Sequence, residues 1–196
     1  MASDDFVVTP WNVEGDIDYD KLIKRFGTQK ITPELLAKIE KFTNESHFML
    51  RRGIFFSHRD LNRLLDDYEK GKKFFLYTGR GPSGHTHIGH LVPWVFAKWL
   101  QDKFKTKMYF QLTDDEKFWS KKDMTLEKTS KFALENALDF IALGFKPENT
   151  KIIIDTKNIK TLYPIAAQFA KRINFSNTKA VFGFENETNI GMIFYT

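Results

Sequence analysis

An α/β fold with a parallel sheet is predicted, and three observations predict it. Apolar runs of strand length alternate with helix-period segments. A glycine-rich turn joins an apolar run of strand length, Phe74 to Thr78, to an apolar-periodic helix, LVPWVFAKWLQ. Cys is absent from the 196 residues, which removes disulfides and thiolate metal sites as the basis of the fold.

In chain order, DFVVTPWNVEG alternates around a proline up to Gly15 and predicts a short hairpin. Helical spacing follows from Asp20 to Phe26 and from Thr32 to Phe42, the second with Thr32 as N-cap, Pro33 at the first position and an early acid, Glu34. A loop at Gly53 leads to a helix expected to be capped by Ser57, to bury Leu61, Leu64, Leu65 and Tyr68, and to stop at Gly71. Residues 1–71 are thus read as a hairpin and helical segment. Residues 72–196 are read as the first part of an α/β domain.

The second part opens on the thirteen residues TGRGPSGHTHIGH, from Thr78 to His90. Gly79, Gly81 and Gly84 would let an anion approach the backbone, and a helix starting near Gly89 turns unpaired N–H groups toward the same space. No Lys-Ser or Lys-Thr closes the loop, so it is not a Walker loop. On that helix Pro93 is expected in the first turn. A strand from Met108 to Thr113 follows, ending in an acidic turn at Asp114, Asp115 and Glu116. A helix from about Thr125 to Leu143 comes next, with Phe132, Ala133, Ala137, Phe140 and Ile141 inward and Gly144 as its stop. The last elements are a strand at Ile152–Ile154 and a helix from about Leu162 to Ile173. In such a sheet the ligand lies at the C-terminal strand ends, where Tyr77 and Thr78 stand on the first strand and Gln111, Thr113, Asp114 and Glu116 stand on and just after the second.

Charge and composition set wide bounds. A net charge of +5 permits a nucleic-acid partner without requiring one. The 20 Phe supply core area. No apolar run approaches a membrane span and MASDDFVV has no leader character, so a soluble, cytoplasmic protein without a membrane partner is expected.

Several chemistries fit the glycine loop. A dinucleotide oxidoreductase matches G-x-G-x-x-G, but needs an acid at the next strand end roughly 20 residues on. Asp102 falls at a helix end, Asp114 comes too late, and Pro82 stiffens the turn. Zinc on His85, His87 and His90 needs a convergence that a turn does not obviously provide. The histidines can also simply cap a helix.

His87, Ile88, Gly89 and His90 spell the HIGH signature, and with LYTGRGPSG before it and QLTDDEKFW after it the chain resembles the class I aminoacyl-tRNA synthetases, in their tryptophan branch of the eukaryotic and archaeal type. The resemblance runs from Asp5 to Gly191. It implies a Rossmann-like sheet and activation of L-tryptophan by ATP with Mg²⁺, followed by transfer to tRNA(Trp) by a homodimer. It places ATP on Gly79, Arg80, Gly81, Pro82, Ser83, His87, Gly89 and His90, with His87 and His90 catalytic and no protein metal site. It places tryptophan on Tyr77, Gln111 and Glu116. The loop at Gly84, His85 and Thr86 is shorter than the family pattern. The second signature loop of the class, Lys-Met-Ser-Lys-Ser, is not found in the sequence, so an incomplete active site, an N-terminal portion without the anticodon-reading domain, is expected. The competing expectation is a non-catalytic module that binds a nucleotide or an amino acid.

Overall fold

The computed structural model describes residues 6–8, 13–15 and 18–195, with side chains from 18 to 194. The chain divides into two compact units, Met1–Phe74 and Phe75–Thr196.

In the first unit, β1 (Phe6–Val8) and β2 (Val13–Gly15) form the expected antiparallel hairpin, with Phe6 opposite Gly15. Its connecting residues lie outside those described. Helix α1 (Tyr19–Phe26) begins where the Asp18 carboxylate accepts the N–H groups of Asp20 and Lys21, and ends at Gly27 with φ 60°. Strand β3 (Gln29–Lys30) precedes α2 (Pro33–Thr43), whose cap is Thr32 and whose first residue is Pro33, as the sequence requires. Helix α3 (Phe48–Arg51) was not anticipated. Arg51 and Arg59 donate to the carbonyls of Ser46 and Phe26.

Ser57 is not a helix cap. It forms β4 (Ser57–His58), paired antiparallel with β3, and α4 (Leu61–Glu69) starts later, where His58 Nδ1 accepts the Leu61 N–H at 3.2 Å. Backbone pairing to a strand far back in sequence outweighed the local cap signal. Leu65 is buried, as expected, while Leu64 faces solvent. Helices α2 and α4 meet through the Lys38–Asp66 and Lys41–Glu69 ion pairs and the Phe42–Tyr68 edge contact at 5.3 Å.

The second unit holds a parallel sheet in the order β5-β6-β7, from Phe75–Arg80, Lys107–Leu112 and Thr150–Ile154. Helix α5 (Ile88–Phe104) connects the first pair of strands, and α6 (Asp114–Ser120) with α7 (Leu126–Ala142) connects the second. After β7 come α8 (Asp155–Ala170), α9 (Phe175–Phe182) and α10 (Ile190–Tyr195).

The core lies where α5 and α7 cover one face of the sheet. Met108, Phe110 and Leu112 alternate inward from β6 onto Trp94, Ala133, Ala137 and Phe140. Phe110 and Phe140 stack at 3.8 Å, and Trp94 meets Phe110 edge-on at 5.1 Å. Gln101, buried on α5, accepts the Lys146 N–H and donates to Thr150 Oγ1, which fixes the entry to β7.

Four local expectations need correction. Asp114, Asp115 and Glu116 form the first turn of α6 rather than a loose acidic turn, because carboxylates at a helix N-terminus meet its unpaired N–H groups. Helix α8 begins at Asp155, directly at the end of β7, and Pro164 lies inside it. Ile141 is not inward: with Leu134 and Leu138 it forms an exposed stripe on α7 at helical spacing. Pro93 is the sixth residue of α5, past the first turn, so the Gly89 carbonyl has no proline N–H to accept.

Candidate functional site

Three chain segments that leave the C-terminal edge of the sheet build the site. The Gly81–His87 loop follows β5, Thr113 and α6 follow β6, and Asp155 follows β7. The odd residues of β5 and β6 that point away from the core include Tyr77 and Gln111. Pairing sets Gly79 beside Gln111, and Gln111 beside Ile153.

Gly79 has a packing reason of its own within the sheet. A Cβ there would lie 2.5 Å from the Gln111 carbonyl oxygen, so glycine permits close approach of the neighbouring strand. At Gly81 a Cβ would meet Lys117 and Glu116 side chains, at 2.0 and 2.7 Å. Gly84 has open space around it.

Arg80 holds the loop from within. Its guanidinium donates to Thr86 Oγ1 at 2.7 Å and to the carbonyls of Gly84 and His85 at 3.0 and 2.8 Å. Burial depresses its pKa. From α7, Asn136 Nδ2 donates to the same Gly84 carbonyl at 3.1 Å. Pro82 is fully buried and Ser83 half-buried at the bend.

The two signature histidines form a reciprocal cap on α5. Gly89 N–H donates to His87 Nδ1 and His87 N–H donates to His90 Nδ1, each at 3.2 Å, with ring centroids 3.7 Å apart. A neutral imidazole that accepts at Nδ1 carries its proton on Nε2. Capping therefore makes donors of both outer ring nitrogens. Burial, followed by the Arg80 and His87 charges, lowers the His90 pKa, which favours the neutral ring. His85 turns away to α7, where it meets Glu135 at 3.4 Å and the Phe132 ring edge-on. The three imidazoles do not converge.

On the open face of the sheet, the Tyr77 hydroxyl donates to Gln111 Oε1, and Gln111 Nε2 donates to both Asp155 carboxylate oxygens at 2.8 and 2.9 Å. Tyr77 is exposed and Asp155 buried. Burial pushes the Asp155 pKa up to about 7, reinforced by Asp115 and Asp114 and opposed by the Gln111 bonds. Burial, then the Asp155 charge, raises the Tyr77 pKa.

Glu116 sits apart from that chain. Buried at 3% exposure, it pairs with Lys117 at 2.8 Å and accepts from Thr113 Oγ1 at 3.2 Å, beside Gly81. Burial also raises the Asp115 pKa.

Asp114 is wholly buried and accepts from Ser130 Oγ, Thr156 N–H and Thr156 Oγ1 at 3.1, 3.1 and 2.6 Å. Asp102 pairs with Lys98 on its own helix. Both acids are engaged by these partners rather than offered to a dinucleotide ribose. Sequence reasoning gave no role to Asp155 or Asn136, whose partners lie 44 and 52 residues away. The one available signal for Asp155 was an acid at a parallel strand end.

The family model of class I tRNA synthetases (W and Y) matches residues 69–191. The tryptophan–tRNA ligase of Sulfurisphaera tokodaii is 56% identical over 192 residues, covering 97% of this chain and 50% of that protein. That of Pyrobaculum calidifontis is 54% identical, covering 98% and 51%. Among solved structures, the tryptophanyl-tRNA synthetase of Plasmodium falciparum superposes with a TM-score of 0.87 at 45% identity, covering 91% of this chain and 50% of that one. The Encephalitozoon cuniculi enzyme, solved with tryptophan bound, gives 0.86 at 41%, covering 92% and 50%. The chain spans about half the length of the curated relatives it matches.

Proposed function

Because the chain belongs to the class I tRNA synthetases of the tryptophan and tyrosine kind, we propose that its site activates L-tryptophan with ATP and serves its transfer to tRNA(Trp). The observation that carries the tryptophan reading is the hydrogen-bonded chain from Tyr77 through Gln111 to Asp155. It leaves Tyr77 Oη and the second lone pair of Gln111 Oε1 as adjacent acceptors, which suits one indole N–H. A site built to pair a ligand N–H rejects rings that lack it far better than a site that judges size alone.

In the activation step a tryptophan carboxylate oxygen bonds to the α-phosphorus of ATP, and the bond from that phosphorus to the pyrophosphate oxygen breaks. Negative charge grows on the phosphate oxygens, so catalysis needs placed donors rather than a protein nucleophile. His87 and His90 supply them as Nε2–H groups at the positive end of α5. The wall from Gly79 to Ser83 shapes the nucleotide's seat. Arg80 and Pro82 act from inside that wall, and Gly81 leaves room beside Glu116 and Lys117. Glu116 takes the tryptophan ammonium by exchanging Lys117 for it.

Mg²⁺ belongs to this reading as the companion of the triphosphate. Bound with the nucleotide, it would offset the negative charge of the phosphate oxygens. Transfer follows when a hydroxyl of the terminal tRNA ribose attacks the acyl carbon and AMP leaves. A homodimer fits the exposed Leu134, Leu138 and Ile141 stripe on α7. Among the described residues no helix is long and apolar enough to cross a membrane, and a cytoplasmic location is part of the proposal.

Pyrophosphate exchange into ATP tests it, with the chain alone and with the complementary half of the Sulfurisphaera tokodaii ligase added. Exchange that requires tryptophan and ignores tyrosine, in either arm, supports the proposal. No exchange in either arm from folded protein contradicts it and favours a module that only binds.

A further inference from the structure

We infer that Asp155 is a positioning residue for ring recognition, holding the Gln111 amide so that its oxygen, and not its NH₂, faces the ligand. The inference rests on the tryptophan reading above.

A glutamine side chain presents either of two faces of nearly equal shape, and only its partners decide which. Here one partner, the Tyr77 hydroxyl, can donate or accept and so imposes no choice. The other, the Asp155 carboxylate, accepts only when ionised. Both its oxygens lie within 2.9 Å of Gln111 Nε2, so the reversed amide would set oxygen against carboxylate. Position follows from the fold: Gln111 is the fifth residue of β6, and Asp155 opens α8 one residue beyond β7. Strand pairing sets Gln111 opposite Ile153, which brings the first residue of α8 to the amide.

The orientation matters because an indole N–H needs an acceptor. With Oε1 outward, Gln111 and Tyr77 present lone pairs to it. With NH₂ outward, two donors would face each other. The titratable groups around Asp155 are Asp114 and Asp115 on α6 and Tyr77 on β5. The two aspartates and burial favour its protonated form, and a protonated carboxyl can donate to a reversed amide. Preference for a ring N–H should therefore weaken as pH falls below about 7.

The test uses the 196-residue chain, its Asp155→Asn variant, and two ligands of one shape: L-tryptophan, and 3-benzothienyl-L-alanine, in which sulfur replaces the indole N–H. Asparagine keeps the size but offers either an acceptor or a donor, so it releases the choice. In the wild type the Gln111 side-chain amide resonances should titrate with a midpoint near 7. In the variant that titration disappears, the preference for tryptophan over the analogue falls by about 10-fold, and affinity for the analogue is unchanged. An unchanged preference in Asp155→Asn overturns the inference. So does equal loss for both ligands, which would mark Asp155 as a structural residue only. Binding of neither ligand by the wild type overturns the tryptophan reading instead, while the amide resonances still show whether Asp155 holds Gln111.

Discussion

The His87 ring lies over Gly89, where a Cβ would come within 3.1 Å of ring carbon Cε1 and 3.2 Å of Nδ1. Glycine in the signature therefore lets the imidazole fold back, accept the Gly89 N–H and turn Nε2 outward. Gly89→Ala exchanges a helix-propensity gain of about 1 kcal/mol for a cap loss of similar size. Thermal stability should be nearly unchanged, while under the proposed function exchange activity should fall by roughly 10²-fold, because the donor assigned to His87 would have moved. Thermal melts and the exchange rate, measured together, check the split.

Gly79 and Gly84 differ in the opposite sense. Gly79→Ala places a methyl against the Gln111 carbonyl and should cost roughly 1–3 kcal/mol in denaturant unfolding. Gly84→Ala, with nothing within 4 Å of the added Cβ, should leave the unfolding midpoint unchanged.

Asp114 joins the start of α6 to α7 and α8 through Ser130 and Thr156. Asp114→Ala strands these donors in the interior and should lower stability by roughly 3 kcal/mol. Ser130→Ala, which removes the single bond on the α7 side, should cost about 1 kcal/mol. Urea titrations of both variants measure the ratio.

Asp155 sets a pH dependence of stability. Its pKa is raised to about 7 when folded, against about 3.9 for an unfolded aspartate. Between these values the folded chain holds more protons, so stability is full below the lower one and declines as pH rises to the upper. The melting temperature should fall from pH 4 to pH 7 more steeply in the wild type than in Asp155→Asn. Equal slopes would contradict the assignment.

What the sequence made legible was local. Thr32 and Pro33 announce α2, Thr125 announces α7, and the glycine turn between strand and helix announces the parallel sheet, because caps and periods act within a few residues. What it hid was carried by distant partners. Ser57 looks like a cap until β3 claims it, and α6 has seven residues, too few to show a helical period. Tyr77 and Gln111 are 34 residues apart; the strand-end rule put them in one crevice and the family resemblance gave them a shared role, but neither announced their hydrogen bond or the part of Asp155. The family resemblance places Arg80 at the nucleotide, and the structure adds that its guanidinium donates to the loop's own carbonyls.

The most direct test of the account is a calorimetric titration of L-tryptophan and L-tyrosine into the chain and into its Tyr77→Phe variant. If the Tyr77–Gln111 acceptor pair reads the indole N–H, tryptophan binds in preference to tyrosine, and loss of the hydroxyl weakens tryptophan about 10-fold or more. Equal affinity for both amino acids, or tryptophan binding indifferent to the hydroxyl, would contradict it.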